Sequence, residues 1–331
     1  MKKNILVTGG LGYIGSHTLV KLIERGYTPY VIDNLSNSNT DIINKVKEIT
    51  GEEVFFLQGD LRDSENSNLY YIFKNFEIDS VIHFAAFKSV SESTKAPLDY
   101  YDNNLNSTIQ LLQAMKIYGV KNIVFSSSCT VYGQPDSYPV NELTPIKQAE
   151  SPYGETKRMC EQILESSQKS DDLNVVVLRY FNPIGVHESG ILHESPKGIP
   201  DGLMPYIIGV INGEYPFLRI FGDDYNTKDG TAIRDYIDVN DLADAHVKSL
   251  DIIDGIGFET FNIGSGSGYT VMEVVESFRD NGTDIAFKMF PRRDGDIESI
   301  YGDISKAEKI LNWSPEKSLN DSVKSVLNIK S

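Results

Sequence analysis

The sequence predicts a doubly wound α/β fold, a parallel sheet with helices on both faces, followed by a second, smaller α/β domain. In the first half, near-continuous apolar runs alternate with stretches of helical periodicity, as in a parallel sheet that is buried on both faces. A glycine-rich turn directly follows the first run, the arrangement of a dinucleotide-binding Rossmann sheet. After residue 182 this alternation ends, and Gly and Pro become frequent. We therefore predict domains at 1–182 and 183–331, and allow for segments of the second returning to the first sheet.

The first half supplies six predicted strands with helices between them. The clearest helix covers 97–118, where apolar residues recur at helical spacing, and another begins at Ser151 and runs to about 168. A sheet of this kind binds its ligand outside the carboxyl ends of its strands. The predicted strands are 4–9, 28–34, 53–60, 78–86, 120–128 and 174–182.

Composition narrows the function classes. The 331 residues carry a formal net charge of −16, which argues against nucleic acid as a partner. The first apolar run is too short for a secretory signal, and no run reaches the length of a membrane span. Cys129 and Cys160 form no metal-binding pattern. We expect a cytoplasmic protein with no membrane partner and no metal.

The turn after the first strand is the first motif with a chemical meaning. In "TGGLGYIGSH", Gly10, Gly12 and Gly15 have the G-x-G-x-x-G spacing between a strand and a helix, which suits a pyrophosphate at the helix N-terminus. Asp33 ends the second strand, 21 residues after Gly12. A carboxylate there accepts hydrogen bonds from ribose hydroxyls and repels a 2′-phosphate, so NAD is favoured over NADP.

Two other strand ends carry polar residues whose roles the residues alone leave open. Asp60, in "GDLRD", is either a cofactor contact or part of an ordinary turn. Small residues follow the fourth strand, which would let a dinucleotide lie against the backbone, and Lys88 comes next. For His83 we predict a packed core position rather than a catalytic one.

The stretch "SPYGETK" places a tyrosine and a lysine on one face of a helix. Ser151 suits the N-cap and Pro152 the first helical position, so Tyr153 and Lys157 lie one turn apart. The same spacing also occurs at Tyr70 and Lys74 and at Tyr215 and Arg219, so by itself it could describe a surface pair. Ser128 at the end of the fifth strand, together with the glycine turn, favours a functional pair at 153 and 157.

Several longer motifs resemble the extended short-chain dehydrogenase/reductase family, and within it the enzymes that invert C4 of UDP-hexoses. These are "TGGLGYIGSH", "YYDNN", "FSSSCTVYG", "SPYGETK", "RYFNPIG" and "AIRDYIDVNDLA", and the resemblance runs from residue 4 to Trp313. It implies NAD-dependent interconversion of UDP-glucose and UDP-galactose. The base would be Tyr153, with Lys157 and Ser128 as its partners.

A lysine beside the tyrosine has a clear purpose in this chemistry. A free phenol has a pKa near 10, so a base at pH 7 needs a lowering worth about 4 kcal/mol. A lysine charge 5–6 Å away supplies roughly 3 kcal/mol at an effective dielectric constant near 20. We expect the positive nicotinamide ring to supply the rest.

The resemblance also implies the binding residues and a homodimer formed by the helices at 97–118 and 151–168. The cofactor would be bound by Gly9, Gly12, Tyr13, Ile14, Gly15, Asp33, Asn34, Asn37, Ser38, Asp60, Leu61, Phe84, Ala85, Ala86, Lys88, Asn103, Ser128, Tyr153, Lys157 and Phe181. The UDP-hexose would be bound by Ser128, Tyr153, Asn182, Gly202, Leu203, Arg219, Phe221, Arg234, Arg293, Asp296 and Ile300.

Two departures from the family pattern affect the substrate. Gly202 replaces an asparagine that usually helps to hold the diphosphate. Ile300, which is neither a bulky aromatic nor a small residue, stands where the room around the sugar's C2 substituent is set. Acceptance of UDP-N-acetylhexosamines is therefore an open alternative.

Two other functions are weaker alternatives. A nucleotide-sugar 4,6-dehydratase needs an acid pair before "VYG", but Cys129 and Thr130 occupy those positions. A non-catalytic dinucleotide sensor tends to lose the tyrosine or the lysine, and both are present.

Overall fold

The computed structural model describes residues 2–63, 67–198, 200–293 and 295–329. Its strands are β1 (Asn4–Thr8), β2 (Thr28–Asp33), β3 (Phe55–Gln58), β4 (Ser80–His83), β5 (Asn122–Ser126), β6 (Asn174–Tyr180), β7 (Asn182–Ile184), β8 (Leu218–Phe221), β9 (Ile233–Arg234), β10 (Tyr236–Asp238), β11 (Phe258–Ile263), β12 (Tyr269–Thr270), β13 (Phe287–Phe290) and β14 (Ser299–Ile300). Its helices are α1 (Tyr13–Glu24), α2 (Asp41–Thr50), α3 (Asn68–Asn75), α4 (Val90–Lys95), α5 (Pro97–Tyr118), α6 (Pro152–Asp171), α7 (Leu203–Ile211), α8 (Val239–Ile252), α9 (Val271–Asp280), α10 (Ser305–Ile310) and α11 (Leu319–Leu327), with a 3₁₀ turn at Cys129–Tyr132.

A seven-stranded parallel sheet organises the fold. Its strand order is β11-β6-β5-β4-β1-β2-β3, and every neighbouring pair is parallel. The order reverses between β1 and β4, which is where a sheet of this type opens a ligand crevice at its carboxyl edge. The predicted doubly wound fold is confirmed, and each of the six predicted strands lies within its predicted range.

Alternating side chains bury both faces of this sheet. Ile5 and Val7 pack with α1 and α8, whereas Leu6, between them, packs with α3, α5 and α6 on the other face. This two-sided burial explains why the strands have near-continuous apolar sequences.

The second half of the chain contributes to both parts of the fold. A separate core joins residues of α7, β8, β10, α9 and α11. However, β11 pairs with β6 in the central sheet, and Trp313 packs into the core under α1 and α8. The domain division at 182/183 stays a prediction. Over the part of the chain that the structure describes, no helix combines the length and apolar character needed to cross a membrane.

Candidate active site

The turn between β1 and α1 brings the backbone unusually close to a neighbouring strand end. Gly9 has φ of +66°, and a Cβ there would lie 2.7 Å from the amide nitrogen of Ala85. A Cβ on Gly15 would lie 2.6 Å from the carbonyl oxygen of Gly9. Both positions therefore require glycine. The result is a tight cradle that ends at the N-terminus of a 12-residue helix.

Asp33 holds this cradle against the end of β2. One of its carboxylate oxygens accepts a hydrogen bond from the Leu11 amide at 3.1 Å. The other accepts from the Leu35 amide at 2.9 Å and from the Ser38 hydroxyl at 2.8 Å. The carboxylate is thus fixed at the carboxyl edge of the sheet, beside the glycine turn.

One cleft collects most of the predicted cofactor residues. Its wall includes Gly9, Gly12, Tyr13, Ile14, Gly15, Asp33, Asn34, Asn37, Ser38, Asp60, Leu61, Phe84, Ala85, Ala86, Lys88, Asn103, Tyr153 and Lys157. Asp60 accepts a hydrogen bond from Asn34 and forms an ion pair with Arg62. The hydrogen bonds from Arg62 hold the pKa of Asp60 well below its usual range.

Two predicted cofactor residues, Phe181 and Ser128, are not among the residues that line this cleft. Phe181 is 2% exposed and packs with Cys129, Val131 and Ile300, so its side chain offers little open surface. Ser128 caps the 3₁₀ turn, and its hydroxyl accepts hydrogen bonds from the Thr130 amide at 3.2 Å and the Thr130 hydroxyl at 3.0 Å.

Tyr153 and Lys157 occupy the first turns of α6, next to the end of β5. The Ser151 hydroxyl accepts from the Gly154 amide at 3.2 Å and so caps the helix as predicted. Lys157 is 3% exposed, its Nζ donates to the Ser126 carbonyl at 2.8 Å, and it lies 6.0 Å from the centre of the Tyr153 ring. Both side chains reach the cleft wall.

A buried ion pair fixes α6 to the neighbouring strand ends. Glu161, on the buried side of α6, accepts hydrogen bonds from Arg179 of β6 at 3.0 and 2.6 Å. It also accepts from the Ser127 hydroxyl at 2.5 Å. Because both partners are more than nine-tenths buried, removing one would leave an unpaired charge. This pair therefore sets the position of Tyr153 and Lys157 relative to β5.

Burial dominates the ionisation of the pair. It raises the pKa of Tyr153 well above its ordinary value near 10, and nearby Tyr180 acts in the same direction, while the hydrogen bond with Ser128 opposes both. Burial also lowers the pKa of Lys157 to about 8, although Cys160 and Glu161 offset part of this effect. In the protein alone, desolvation of the phenolate therefore outweighs any lowering by Lys157. The lowering expected from Lys157 and the bound cofactor together stays a prediction.

The predicted substrate residues of the second half form a compact charged cluster. Asp296 pairs with Arg234 at 3.3 Å and with Arg293 at 3.0 Å. The Arg293 guanidinium lies 4.8 Å from the centre of the Phe221 ring, and that of Arg219 lies 6.0 Å from the same ring. An aromatic face flanked by arginines suits the base and the phosphates of a nucleotide.

The remaining predicted substrate residues surround this cluster and the sheet end. Ile300 belongs to β14, pairs with Arg234 of the neighbouring strand β9, and is 3% exposed. Gly202 is the N-cap of α7 and Leu203 is its first residue. Asn182 begins β7 and has an exposed side chain.

His83 is buried in the core, and Tyr215 belongs to an aromatic stack. His83 is 2% exposed, between the Thr8 hydroxyl at 2.7 Å and the Thr108 hydroxyl at 3.2 Å, and burial lowers its pKa to about 3. The predicted packed position is confirmed. Tyr215 stacks on Tyr206 and is not among the residues that line the cleft.

Sequence reasoning missed a strap across the cleft. We use "the strap" for residues 193–197, of which His193, Glu194, Ser195 and Pro196 line the cleft. Glu194 pairs with Lys88 at 2.5 Å, and Lys197 donates from its amide to the Asn37 side chain at 3.0 Å and from Nζ to the Leu35 carbonyl at 2.6 Å. The strap is irregular and comes from the second half, so no periodicity or motif could have placed it there.

Comparisons with known proteins agree with this geometry. The chain matches a family model described as GDP-mannose 4,6 dehydratase over residues 6–326. A UDP-glucose 4-epimerase of Bacillus subtilis (strain 168) is 48% identical over 96% of this chain and 94% of that protein. One from Erwinia amylovora is 46% identical over 99% and 98%. A crystal structure of UDP-glucose 4-epimerase from Bifidobacterium longum in complex with NAD⁺ and UDP superposes with a TM-score of 0.96, at 46% identity, covering 98% of this chain and 97% of that one.

Fold, cleft and tyrosine–lysine pair together define a dinucleotide-binding enzyme with a Rossmann sheet. The chain belongs to the extended short-chain dehydrogenase/reductase family, in the branch formed by the UDP-glucose 4-epimerases. The resemblance inferred from the sequence motifs is confirmed.

Proposed function

We propose that the protein interconverts UDP-glucose and UDP-galactose, with NAD as its cofactor, by oxidation at C4, rotation of the 4-keto sugar and reduction on its other face. The observation that carries the proposal is that Tyr153 and Lys157 reach the wall of the same cleft as the glycine turn and Asp33. The relatives that are named UDP-glucose 4-epimerase support the same reaction.

The cleft residues fit NAD. A side chain on Gly9 or Gly15 would fill the cradle, and the first amides of α1 would donate to the pyrophosphate. Asp33 would accept from the adenosine ribose hydroxyls, and its charge would repel a 2′-phosphate. When bound, NAD supplies a hydride acceptor that takes hydrogen from C4 and returns it.

Tyr153 would handle the proton of this reaction. Its phenolate would remove the proton of the 4-hydroxyl and later return it, with Ser128 holding the same oxygen. Lys157 would stabilise the phenolate by its charge, because it is buried 6.0 Å from the ring. Since burial raises the pKa of Tyr153 in the protein alone, the positive charge of the cofactor would complete the activation.

The charged cluster of the second half would hold the UDP part. Arg234 and Arg293 would bind the diphosphate in a multidentate way, Asp296 the uridine ribose, and Phe221 the base. Binding energy would then come from a part of the substrate that does not react. The sugar would stay free to present either face of C4.

A 4,6-dehydratase, the activity in the name of the matching family model, fits the site less well. That reaction needs a carboxylic acid to eliminate water, and the corresponding positions are Cys129 and Thr130. Burial raises the pKa of the Cys129 thiol to about 12, so this thiol is a poor replacement.

Turnover of UDP-N-acetylhexosamines is the second candidate. Ile300 packs with Cys129 of the 3₁₀ turn that Ser128 caps, close to where the sugar would lie. It is smaller than an aromatic residue, which favours slow acceptance of a 2-acetamido group over exclusion.

We also propose that the active form is a cytoplasmic homodimer. The predicted interface helices are α5 and α6, which pack on each other and carry partly exposed apolar side chains at helical spacing, such as Leu105 and Ile109 on α5 and Met159 and Ile163 on α6. Pairing two copies around a two-fold axis would bury these residues. Light scattering should give twice the 37.0 kDa protomer mass, whereas a single protomer at micromolar concentration would contradict the dimer.

A simple experiment tests the proposed function. The purified protein is incubated with UDP-galactose without added cofactor, and UDP-glucose is measured by chromatography. Conversion supports both the reaction and a cofactor carried by the protein. If no UDP-glucose forms even after NAD is added, the proposal is wrong.

A further inference from the structure

A carboxylate, Asp201, lies beside one of the two arginines of the charged cluster. Its Oδ1 accepts a hydrogen bond from Arg293 Nη1 at 3.4 Å. Its Oδ2 accepts from the hydroxyls of Ser89 and Ser91, at 2.7 and 2.9 Å. Asp201 therefore bridges the start of α4 in the first half and Arg293 in the second.

The Arg293 guanidinium is held by carboxylates on two edges. Its Nε donates to Asp296 at 3.0 Å, and its Nη1 faces Asp201. Phosphate and carboxylate oxygens compete for the same planar set of N–H donors. A diphosphate that binds Arg293 must therefore share this edge with Asp201 or displace it.

The two serines keep the Asp201 charge near this edge in either case. They contact the carboxylate oxygen that Arg293 does not use, so a phosphate that takes over Nη1 would leave Asp201 in place. Although burial raises it, these hydrogen bonds and the charge of Arg293 hold the pKa of Asp201 below its ordinary value. The carboxylate is therefore ionised at neutral pH.

We propose that Asp201 is an affinity-setting residue of the substrate site: it competes with the diphosphate of the nucleotide for Arg293 and so weakens nucleotide binding. The inference rests on the proposed function, because it takes Arg293 as a diphosphate ligand. Weaker binding of the part that does not react costs little turnover once substrate exceeds its KM, since uniform binding energy does not raise kcat.

The test compares the wild-type protein with Asp201→Asn, whose amide oxygen can still accept from the serines. UDP binding is measured by titration calorimetry at low salt. We expect UDP to bind Asp201→Asn about two- to tenfold more tightly, the range for removing one like charge at a partly exposed site. KM for UDP-galactose should fall by a similar factor, with no rise in kcat.

Asp224→Asn is the matched control. Asp224 pairs at 2.7 Å with Arg292, the residue before Arg293, so this variant makes the same charge change at an adjacent arginine. We expect less than half of the change in UDP affinity there. In an Arg293→Met background, Asp201→Asn should bring no gain.

The outcomes separate this inference from the proposed function. If the wild-type protein binds UDP and Asp201→Asn binds it equally or more weakly, this inference alone is overturned. A gain that persists without Arg293, or that Asp224→Asn reproduces in full, also overturns it. If the wild-type protein binds no UDP at all, the proposed function falls together with it.

Discussion

The Nζ of Lys157 donates a hydrogen bond to the carbonyl oxygen of Ser126 at 2.8 Å, out of contact with bulk water. This contact joins the second turn of α6 to the last residue of β5. Together with the Arg179–Glu161 ion pair, it leaves Lys157 little freedom to move away from Tyr153. The pair that the sequence suggested is thus held by the sheet and does not lie on the surface.

Replacing Tyr153 by phenylalanine should remove proton transfer and leave the fold intact. The ring stays the same size, and only the phenol oxygen is lost. We expect turnover of UDP-galactose to fall by about 10²- to 10⁴-fold, the usual contribution of a general base. Tyr215→Phe, at the same spacing from a basic residue but stacked on Tyr206, should keep normal turnover. A Tyr153→Phe enzyme with more than about a tenth of wild-type turnover would remove Tyr153 from its proposed role.

Lys157→Met should be severely impaired, and its residual activity should appear at higher pH, because the phenol loses a stabilising charge. Stability gives an independent test. Lys157 has a pKa of about 8 in the folded protein, against an ordinary value near 10.4 when unfolded. Between these values the unfolded chain binds more protons, so the free energy of unfolding rises with pH.

This rise should be absent from Lys157→Met. Relative to the variant, the wild-type protein should gain up to about 3 kcal/mol as pH increases from 8 to 10.4. Urea unfolding of both proteins at pH 7.5 and pH 10 measures the difference. If the free energy of unfolding depends on pH in the same way in both proteins, burial does not lower the pKa of Lys157.

Lys197→Ala should speed the release of bound NAD. The substitution removes the hydrogen bond from Nζ to the Leu35 carbonyl and keeps the backbone contact with Asn37. One hydrogen bond of this kind is worth about 1 kcal/mol, so the release rate should rise roughly two- to tenfold. Lys121→Ala, which loses a similar bond to the Asp171 carbonyl outside the cleft, is the control. Equal release rates in all three proteins would show that the strap does not retain the cofactor.

Ile300→Ser should widen the range of sugars. A partial steric conflict costs on the order of 1–3 kcal/mol, so the wild-type enzyme should prefer UDP-galactose over UDP-N-acetylgalactosamine by about 10- to 200-fold in kcat/KM. The serine variant should narrow this gap, mainly by gaining activity on the N-acetylated sugar. Val140→Ala, in the same packed cluster, is the control for a general loss of packing and should leave the preference between the two sugars unchanged. Equal kcat/KM for both sugars in the unmodified enzyme would mean that Ile300 does not limit the pocket.

The sequence was informative where a physical rule acts locally. The glycine turn, the cap at Ser151 and the alternating strands each depend on a few neighbouring residues, and the structure has them where they were predicted. His83 was also placed correctly, since a histidine within a buried strand has to find partners for its ring nitrogens.

The features that were missed depend on contacts between distant segments. Lys197 reaches Leu35 across 162 residues, and Asp201 reaches Ser89 across 112. Neither contact leaves a periodic or motif signal. The ionisation of Tyr153 in the protein alone depends on packing in the same way. The sequence indicates that Lys157 is near the phenol, but the extent to which the fold buries the phenol is a property of the packed structure.

Deuterium at C4 of UDP-galactose tests the central claim most directly. The proposed reaction removes this hydrogen as a hydride and returns it to the same carbon, while Tyr153 exchanges only the hydroxyl proton. The labelled sugar is converted in ordinary water, and the UDP-glucose product is examined by mass spectrometry and NMR. We expect deuterium to be retained at C4 with inverted configuration. Loss of the label to water during conversion would contradict the account.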